Sequence, residues 1–417
     1  MIQKISKVLS NDYMFSIAAK IFVILSGVIY SSLFSRYFGP TLRGESAVII
    51  NFVSLASVFL GFGMYQTYPI FRKEKKEFPI YFTSNMITVF IAYLAVSIFI
   101  IVNFDISTNI KIAALITPLT ILIKQINYVV LIERPKKRNI NSILIGLTDI
   151  IIVIFFIVLF KSNYFFMISF LIVKEILHLI ISLVNLEISI FKLKPQFKGI
   201  PRFFKFGIIP MITVSLMTIN YRVDILMLNG VVLSSSIGIY AIGVNLAELI
   251  WLVPNALKDI LLSKLTKGSK DSEVAYVIRH SLFFAIISLV GISAFGKYII
   301  LILYGTEFLE SYNITIIMQI GIIGMIFYKM IYAYNIANGY RVNSLIMLSF
   351  AATSNIILNY VMIPIYGIYG AAISSVVSYN MCGIAFLIYF HYKSNIAYKE
   401  ILFITKKDLK ILFDKIR

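Results

Sequence analysis

Ten ionisable side chains of this 417-residue chain fall inside long apolar runs: Lys20, Lys124, Asp149, Lys174, Glu175, Arg222, Asp224, Glu248, Lys297 and Lys329. A charge in the middle of a hydrocarbon layer costs roughly 2.5–3.5 kcal/mol on insertion scales, so each needs a partner or a wet cavity. At a rise of about 1.5 Å per helical residue, Lys124, Asp149, Lys174, Glu175 and Glu248 fall near mid-depth, too deep to snorkel. Lys20 and Lys329 sit nearer one end of their runs. Arg222, Asp224 and Lys297 sit nearer the other, where snorkelling accounts for them.

Spacing suggests what these groups could do. Lys124 lies eight residues before the end of its run and Asp149 eight after the start of the next. An antiparallel hairpin would bring the two to equal depth. They then form either a salt bridge that fastens two helices or a lysine that meets an anionic cargo, with Asp149 holding it until then. Lys174 and His178 are i,i+4 and Glu175 and His178 are i,i+3, so all three share one turn. A local ion pair explains that cluster, and a proton-responsive group is the alternative. Glu248 has no partner nearby in sequence and is either paired with another helix or protonated. Thr213, Asn220 and Asp224 at i, i+7 and i+11 form a polar stripe.

Other chemistries find no support. The stretch GISAFGKY (291–298) nearly matches a phosphate-binding loop, but Tyr298 replaces the required hydroxyl residue and no strand precedes it. The single cysteine, Cys382, excludes a disulfide framework and a thiolate metal cluster. His178, His280 and His391 lack metal-ligand spacing, so no metal site and no catalytic residue is expected. The sequon NIT (313–315) reads as a chance match.

The elements that carry these residues follow from composition. Hydrophobic residues are 59 % and charged residues 14 % of the chain, and mean hydropathy is +0.90. An ordinary globular chain carries about 25 % charged residues, so a water-soluble fold and a disordered chain are both excluded. Runs long enough to cross a layer ~30 Å thick occur near 13–35, 46–70, 80–102, 110–132, 141–160, 164–190, 204–228, 237–262, 278–303, 314–337, 345–363 and 371–391. They are continuous, which favours helices over transmembrane strands. The fold class is therefore an all-α polytopic membrane protein of twelve transmembrane helices, in two six-helix lobes. The first span lacks a cleavage site and reads as a retained helix.

Of the 38 lysines and arginines, only Arg36, Arg43, Lys111 and Lys161 fall on the outer side when the N-terminus is placed inside. The inner segments contain RKEKK (72–76), ERPKKR (133–138), FKLKPQFKGIPRFFK (191–205), KLTKGSKDSE (264–273) and a basic tail. This asymmetry predicts both termini in the cytoplasm. It also accounts for the net charge of +19 without any nucleic-acid partner.

The chain divides at the polar stretch 191–205, giving lobes 1–196 and 197–417. Each carries a weak echo of the other: Gly44 in FGPTLRGESAVIINFVSLA (38–56) and Gly238 in NGVVLSSSIGIYAIGVNLAELI (229–250) both precede an apolar run. Parallel six-helix repeats with a substrate path between them are a recurrent transporter design. Gly367 and Gly370 in YGIYG read as a turn before the last helix.

The segments SRYFGPTLRGE (35–45), NYRVDILMLNGVVLSSSIGIYAIGVNLAELIWLVPNAL (220–257) and IPIYGIYGAAISSVVSY (363–379) resemble the Wzx-type polysaccharide flippases of the multidrug/oligosaccharidyl-lipid/polysaccharide (MOP) superfamily. The resemblance extends over nearly the whole chain in length, span number and pattern. It implies translocation of undecaprenyl-diphosphate-linked oligosaccharide repeat units across the bacterial cytoplasmic membrane, for O-antigen or capsule. A polysaccharide polymerase and other assembly proteins would be partners. On this reading Lys124, Lys174, Lys20, Arg222 and Lys329 bind the cargo, and Glu248, Asp149, Glu175 and Asp224 couple transport to H⁺ or Na⁺. Asp224 with Asn355 and Asn359 could give oxygens to Na⁺, although the eleventh helix has no acid. No other cofactor is implied. The 26 tyrosines could stack on sugars, though most read as interfacial belt residues.

Two alternatives stay open. A drug exporter of the same fold would favour an acidic path, whereas embedded bases here outnumber acids. A lipid-linked-sugar polymerase or ligase would need a large outer loop bearing arginines and a histidine, and no outer connection here contains His.

Overall fold

The computed structural model describes residues 2–72, 77–188 and 193–403, with side chains from residue 15 onward. Most of RKEKK, the start of FKLKPQFKGIPRFFK and nearly all of the basic tail lie outside the described residues. In chain order the helices are α1 (Ile2–Leu60), α2 (Met64–Phe71), α3 (Phe78–Asn103), α4 (Thr108–Glu133), α5 (Pro135–Leu159), α6 (Tyr164–Leu186), α7 (Ile200–Leu228), α8 (Ser234–Glu248), α9 (Leu252–Leu265), α10 (Ser272–Leu303), α11 (Ser311–Ala337), α12 (Arg341–Ser394) and α13 (Tyr398–Leu402). A 3₁₀ turn, Leu249–Trp251, joins α8 to α9.

Ten helical stretches among the described residues are long and apolar enough to cross a membrane. Two of them are double-length and broken by glycine. In α1, Gly39 adopts φ 73°, ψ 176° immediately before Pro40. Proline disfavours a helical residue before it, and a positive φ favours glycine. In α12, Gly367 takes φ 55°, ψ −130° three residues after Pro364. Counting each broken helix as two crossings recovers the twelve spans expected from hydropathy. GISAFGKY lies within unbroken α10, as a helical segment should.

The chain forms two compact units, Met1–Thr218 and Ile219–Arg417, and the boundary falls inside α7. In the first unit α4 packs against α1, α2, α3, α5 and α6 and is the most enclosed of its spans. Pro118 interrupts α4 and leaves the Ala114 carbonyl without its helical donor. Ser97 of α3 supplies one: its hydroxyl donates to Ala114 O at 2.8 Å. α5 starts on Pro135, whose missing N–H is an orphan at that position anyway. α6 is capped by Asn163, which accepts from Phe166 N at 2.9 Å. Met64, Phe71, Phe78, Phe82 and Phe203 share one apolar core, so the start of α7 belongs to this unit. Gly207 of α7 leaves no room for a side chain against the Phe62–Gly63 break between α1 and α2.

In the second unit α11 takes the corresponding place, packed against α8, α9, α10 and α12. A Cβ at Gly383 of α12 would collide with the Gly324 backbone of α11, and one at Gly324 would collide with Asn380 of α12. The short α13 returns to α10, with Ile401 fully buried and Arg279 of α10 bonded to the Glu400 carbonyl.

Candidate functional site

The charged residues expected from sequence form separate groups in the two units. In the first, Asp149 of α5 meets α6. His178 Nε2 lies 2.7 Å from Asp149 Oδ1, and Lys174 Nζ lies 4.0 Å from Oδ2. The Lys174 ammonium also stands 4.7 Å above the Tyr30 ring of α1. A side chain at Gly146, one turn before Asp149, would collide with Ser26; α1 and α5 therefore lie close enough for Tyr30 to reach this cluster.

The expected Lys124–Asp149 pair does not form. Lys124 donates instead to Ser57 Oγ of α1 at 2.7 Å. The physical reason is azimuth: equal depth brings two residues to one level, but Lys124 projects from α4 toward α1 while Asp149 faces α6. Glu175 departs from the expected local ion pair too. It accepts from Thr120 of α4 at 3.5 Å, while Lys174 and His178 turn to Asp149.

In the second unit Glu248 is paired, with Arg222 Nη2 3.4 Å from its Oε2. Arg222 therefore bridges α7 to α8 and is not merely snorkelling. Asp224 does not snorkel either. It is 1 % exposed, and both its oxygens are engaged: Tyr240 OH donates to Oδ2 at 2.5 Å, Ser375 Oγ to Oδ2 at 3.3 Å, and its neighbour Ile225 N to Oδ1 at 2.7 Å. Asn220 accepts from Ser378 Oγ at 2.6 Å, whereas Thr213 returns its hydroxyl to Ile209 O, so the expected stripe reduces to two residues. Asn359 donates to Asn355 at 2.9 Å, leaving Asn355 Nδ2 and Asn359 Oδ1 without hydrogen-bond partners. No group of three or more His, Cys, Asp or Glu that could hold a metal occurs among the described residues.

Lys329 of α11 is half-buried. Its ammonium donates to Asn255 Oδ1 at 3.1 Å and lies 4.0 Å above the Trp251 ring and 5.8 Å from that of Tyr221. Lys20 and Lys297 are exposed on α1 and α10. Sequence reasoning missed Tyr30, Ser57, Thr120, Tyr240, Asn255 and Ser375, none of which carries a charge to draw the eye. Trp251 was visible as the only tryptophan.

Two grooves lie beside these groups. One of about 440 Å³ is lined by Met227, Val231, Asn359, Tyr360, Ile363 and Pro364. Another of about 490 Å³ is apolar, between α5 and α6, with Phe155, Phe156 and Phe166 in its walls.

A membrane-spanning helical chain with lysines held on neutral partners matches one family model. Residues 33–313 fit the model described as polysaccharide biosynthesis protein. The chain belongs to that family. Among solved structures it is similar to a lipid II flippase MurJ in an inward closed conformation, with 22 % identity, TM-score 0.72, and coverage of 96 % of this chain and 92 % of that one. An inward-facing MATE-family multidrug resistance transporter of the MOP superfamily follows, at 11 % identity and TM-score 0.68, covering 92 % and 98 %. A MOP superfamily transporter from Pyrococcus furiosus, whose binding pocket has reverse polarity, matches at 12 % identity and TM-score 0.56 over 93 % and 94 %. Comparison with curated proteins by sequence finds no match. This polysaccharide biosynthesis family member is thus a multi-pass membrane protein with the MOP fold.

Proposed function

We propose that the chain is a flippase that moves undecaprenyl-diphosphate-linked oligosaccharide repeat units from the inner to the outer leaflet of the bacterial cytoplasmic membrane, by alternating access through a cationic path. Both termini are cytoplasmic in this reading, and the product feeds a polymerase of O-antigen or capsule. The chain carries no catalytic step. H⁺ or Na⁺ supplies direction, with Asp149, Glu175, Asp224 and Glu248 as the exchanging groups. Membership of a polysaccharide biosynthesis family supports a glycan precursor as the cargo.

The observation that carries the reading is Lys124. Its ammonium, nine residues before the end of α4, rests on the Ser57 hydroxyl at 2.7 Å and on no described carboxylate within 4.0 Å. A hydroxyl satisfies one donor of the ammonium without an ion pair, which leaves its other donors for the oxygens of a diphosphate. The test is complementation of a strain lacking the protein. Lys124→Gln should lose surface polysaccharide while lipid-linked repeat units accumulate inside. Lys124→Arg, with charge kept and donor geometry changed, should retain partial display. Normal display from Lys124→Gln at wild-type abundance would overturn the reading, as would drug sensitivity in place of glycan loss.

A further inference from the structure

Lys329 ends in an aromatic enclosure built wholly from the second unit. Its ammonium lies 4.0 Å above the Trp251 ring and 5.8 Å from the centre of the Tyr221 ring. Both distances are inside the ~6 Å reach of a cation–π contact. Tyr379 of α12 stands behind the pair, its ring centroid 5.6 Å from that of Tyr221 and 6.4 Å from that of Trp251. A hydrogen bond to Asn255 Oδ1 at 3.1 Å also holds the ammonium. No described carboxylate lies within 4.0 Å of it. Glu248, three residues before Trp251, is held instead by Arg222 at 3.4 Å.

The rings are fixed by the backbone that carries them. The 3₁₀ turn Leu249–Trp251, with about three residues per turn, swings the indole off the register of α8. Its Nε1 then donates to Ile322 O of α11 at 3.1 Å, which sets the plane of the ring. Trp251 and Tyr379 are buried. The Tyr221 and Tyr379 hydroxyls have no hydrogen-bond partner among the described residues, so these rings serve the place through their faces. Lys329 itself is half-buried, and the enclosure opens along its stem.

Aromatic faces around a cation, without a carboxylate to pair it, are the chemistry of sites that recognise organic ammonium ions. Here the cation belongs to the chain. We infer that Trp251, Tyr221 and Tyr379 form a cage for a small organic ammonium ion and that Lys329 keeps it shut. A resident lysine excludes such a ligand in two ways, by filling the volume and by repelling a second positive charge. Lys329 is thus a selectivity residue. It acts as a built-in occupant, rather than as a contact for the cargo, and turns organic cations away from the second unit. This selectivity is independent of the glycan cargo proposed above.

The cage is tested with tetramethylammonium, which has no hydrogen-bond donor and so is held only by ring faces and charge. Its uncharged counterpart is tert-butanol, of nearly the same shape. Trp251 is the only tryptophan, so the fluorescence of the purified full-length protein in maltoside micelles, at constant ionic strength, reports on the cage itself. Lys329→Ala should bind tetramethylammonium about tenfold more tightly than wild type, and about tenfold more tightly than it binds tert-butanol. Lys329→Arg should stay closed, because a guanidinium also stacks on an indole. Adding Tyr221→Leu to Lys329→Ala should abolish most of the gain. Where Lys329→Ala does not melt cooperatively, Lys329→Ser, which vacates nearly the same volume and keeps a polar group, is read instead. No gain by the folded variant over wild type, or a gain that tert-butanol matches, overturns the cage. Either result leaves the flippase reading standing.

Discussion

His178 Nε2 and Asp149 Oδ1 stand 2.7 Å apart, joining α6 to α5 inside the apolar span, and Lys174 holds the other oxygen of that carboxylate from one helical turn earlier. Asp149 thus serves two nitrogen groups on one face of α6. Removing an acid from such an arrangement strands a buried cation.

Asp149→Asn should therefore destabilise the protein by about 3–5 kcal/mol, the usual cost of breaking a buried pair from one side. Adding Lys174→Gln should restore most of that loss. The single thiol, Cys382, is fully buried, so a thiol-reactive dye reports unfolding directly. An equal melting temperature for wild type and Asp149→Asn would remove the cluster from the stability account.

Ser97→Ala should cost about 1–3 kcal/mol although it deletes a single oxygen, because the Ala114 carbonyl beneath Pro118 would lose the donor that replaces its helical bond. Ser97→Thr, which keeps the hydroxyl, is the comparison. Matching melting curves for the alanine and threonine variants would show that the carbonyl finds another donor.

Arg222 and Glu248 should show coupling in a double-mutant cycle. Either Arg222→Met or Glu248→Gln alone strands one charge of the pair, whereas the two together remove both. The expected interaction energy is about 1–3 kcal/mol, read from thermal unfolding in detergent. Additive effects would mean that the two side chains titrate and pack independently.

Topology can be read chemically on the same background. With Cys382 silent in its core, Ser269→Cys should label with an impermeant maleimide only from the cytoplasmic side and Asp105→Cys only from the outside. Labelling of both from one side would reverse the inference drawn from the lysine and arginine distribution.

The crossings were legible in the sequence because a run of some twenty apolar residues has few alternatives to spanning a bilayer. The glycine break before the last crossing was legible for a related reason: YGIYG punctuates an otherwise continuous run. Pairing was harder to read. Lys124 and Asp149 share a depth, and depth is one coordinate of three; rotation about each helix decided that Asp149 looks to α6. Lys174 and His178 could have revealed this, since i,i+4 residues on one face invite a common partner on a neighbouring helix. Glu248 found no match in register because register counts Cα positions, and an arginine carries its charge several ångströms from its own. Tyr240 and Ser375, which hold Asp224, are uncharged and separated from it by 16 and 151 residues, so nothing local marks them.

The seventh helix has a consequence for how the protein is made. Phe203 is 1 % exposed and belongs to the core that Met64, Phe78 and Phe82 share, and Gly207 seats against the Phe62–Gly63 break. A ribosome that has threaded only six spans into the bilayer has not yet delivered either residue. The nascent first unit must wait, with that core open, until the opening turns of the seventh helix emerge. Only a chain delivered as far as Gly207 can close it, so the first six spans wait in the bilayer for the seventh before their own packing is finished.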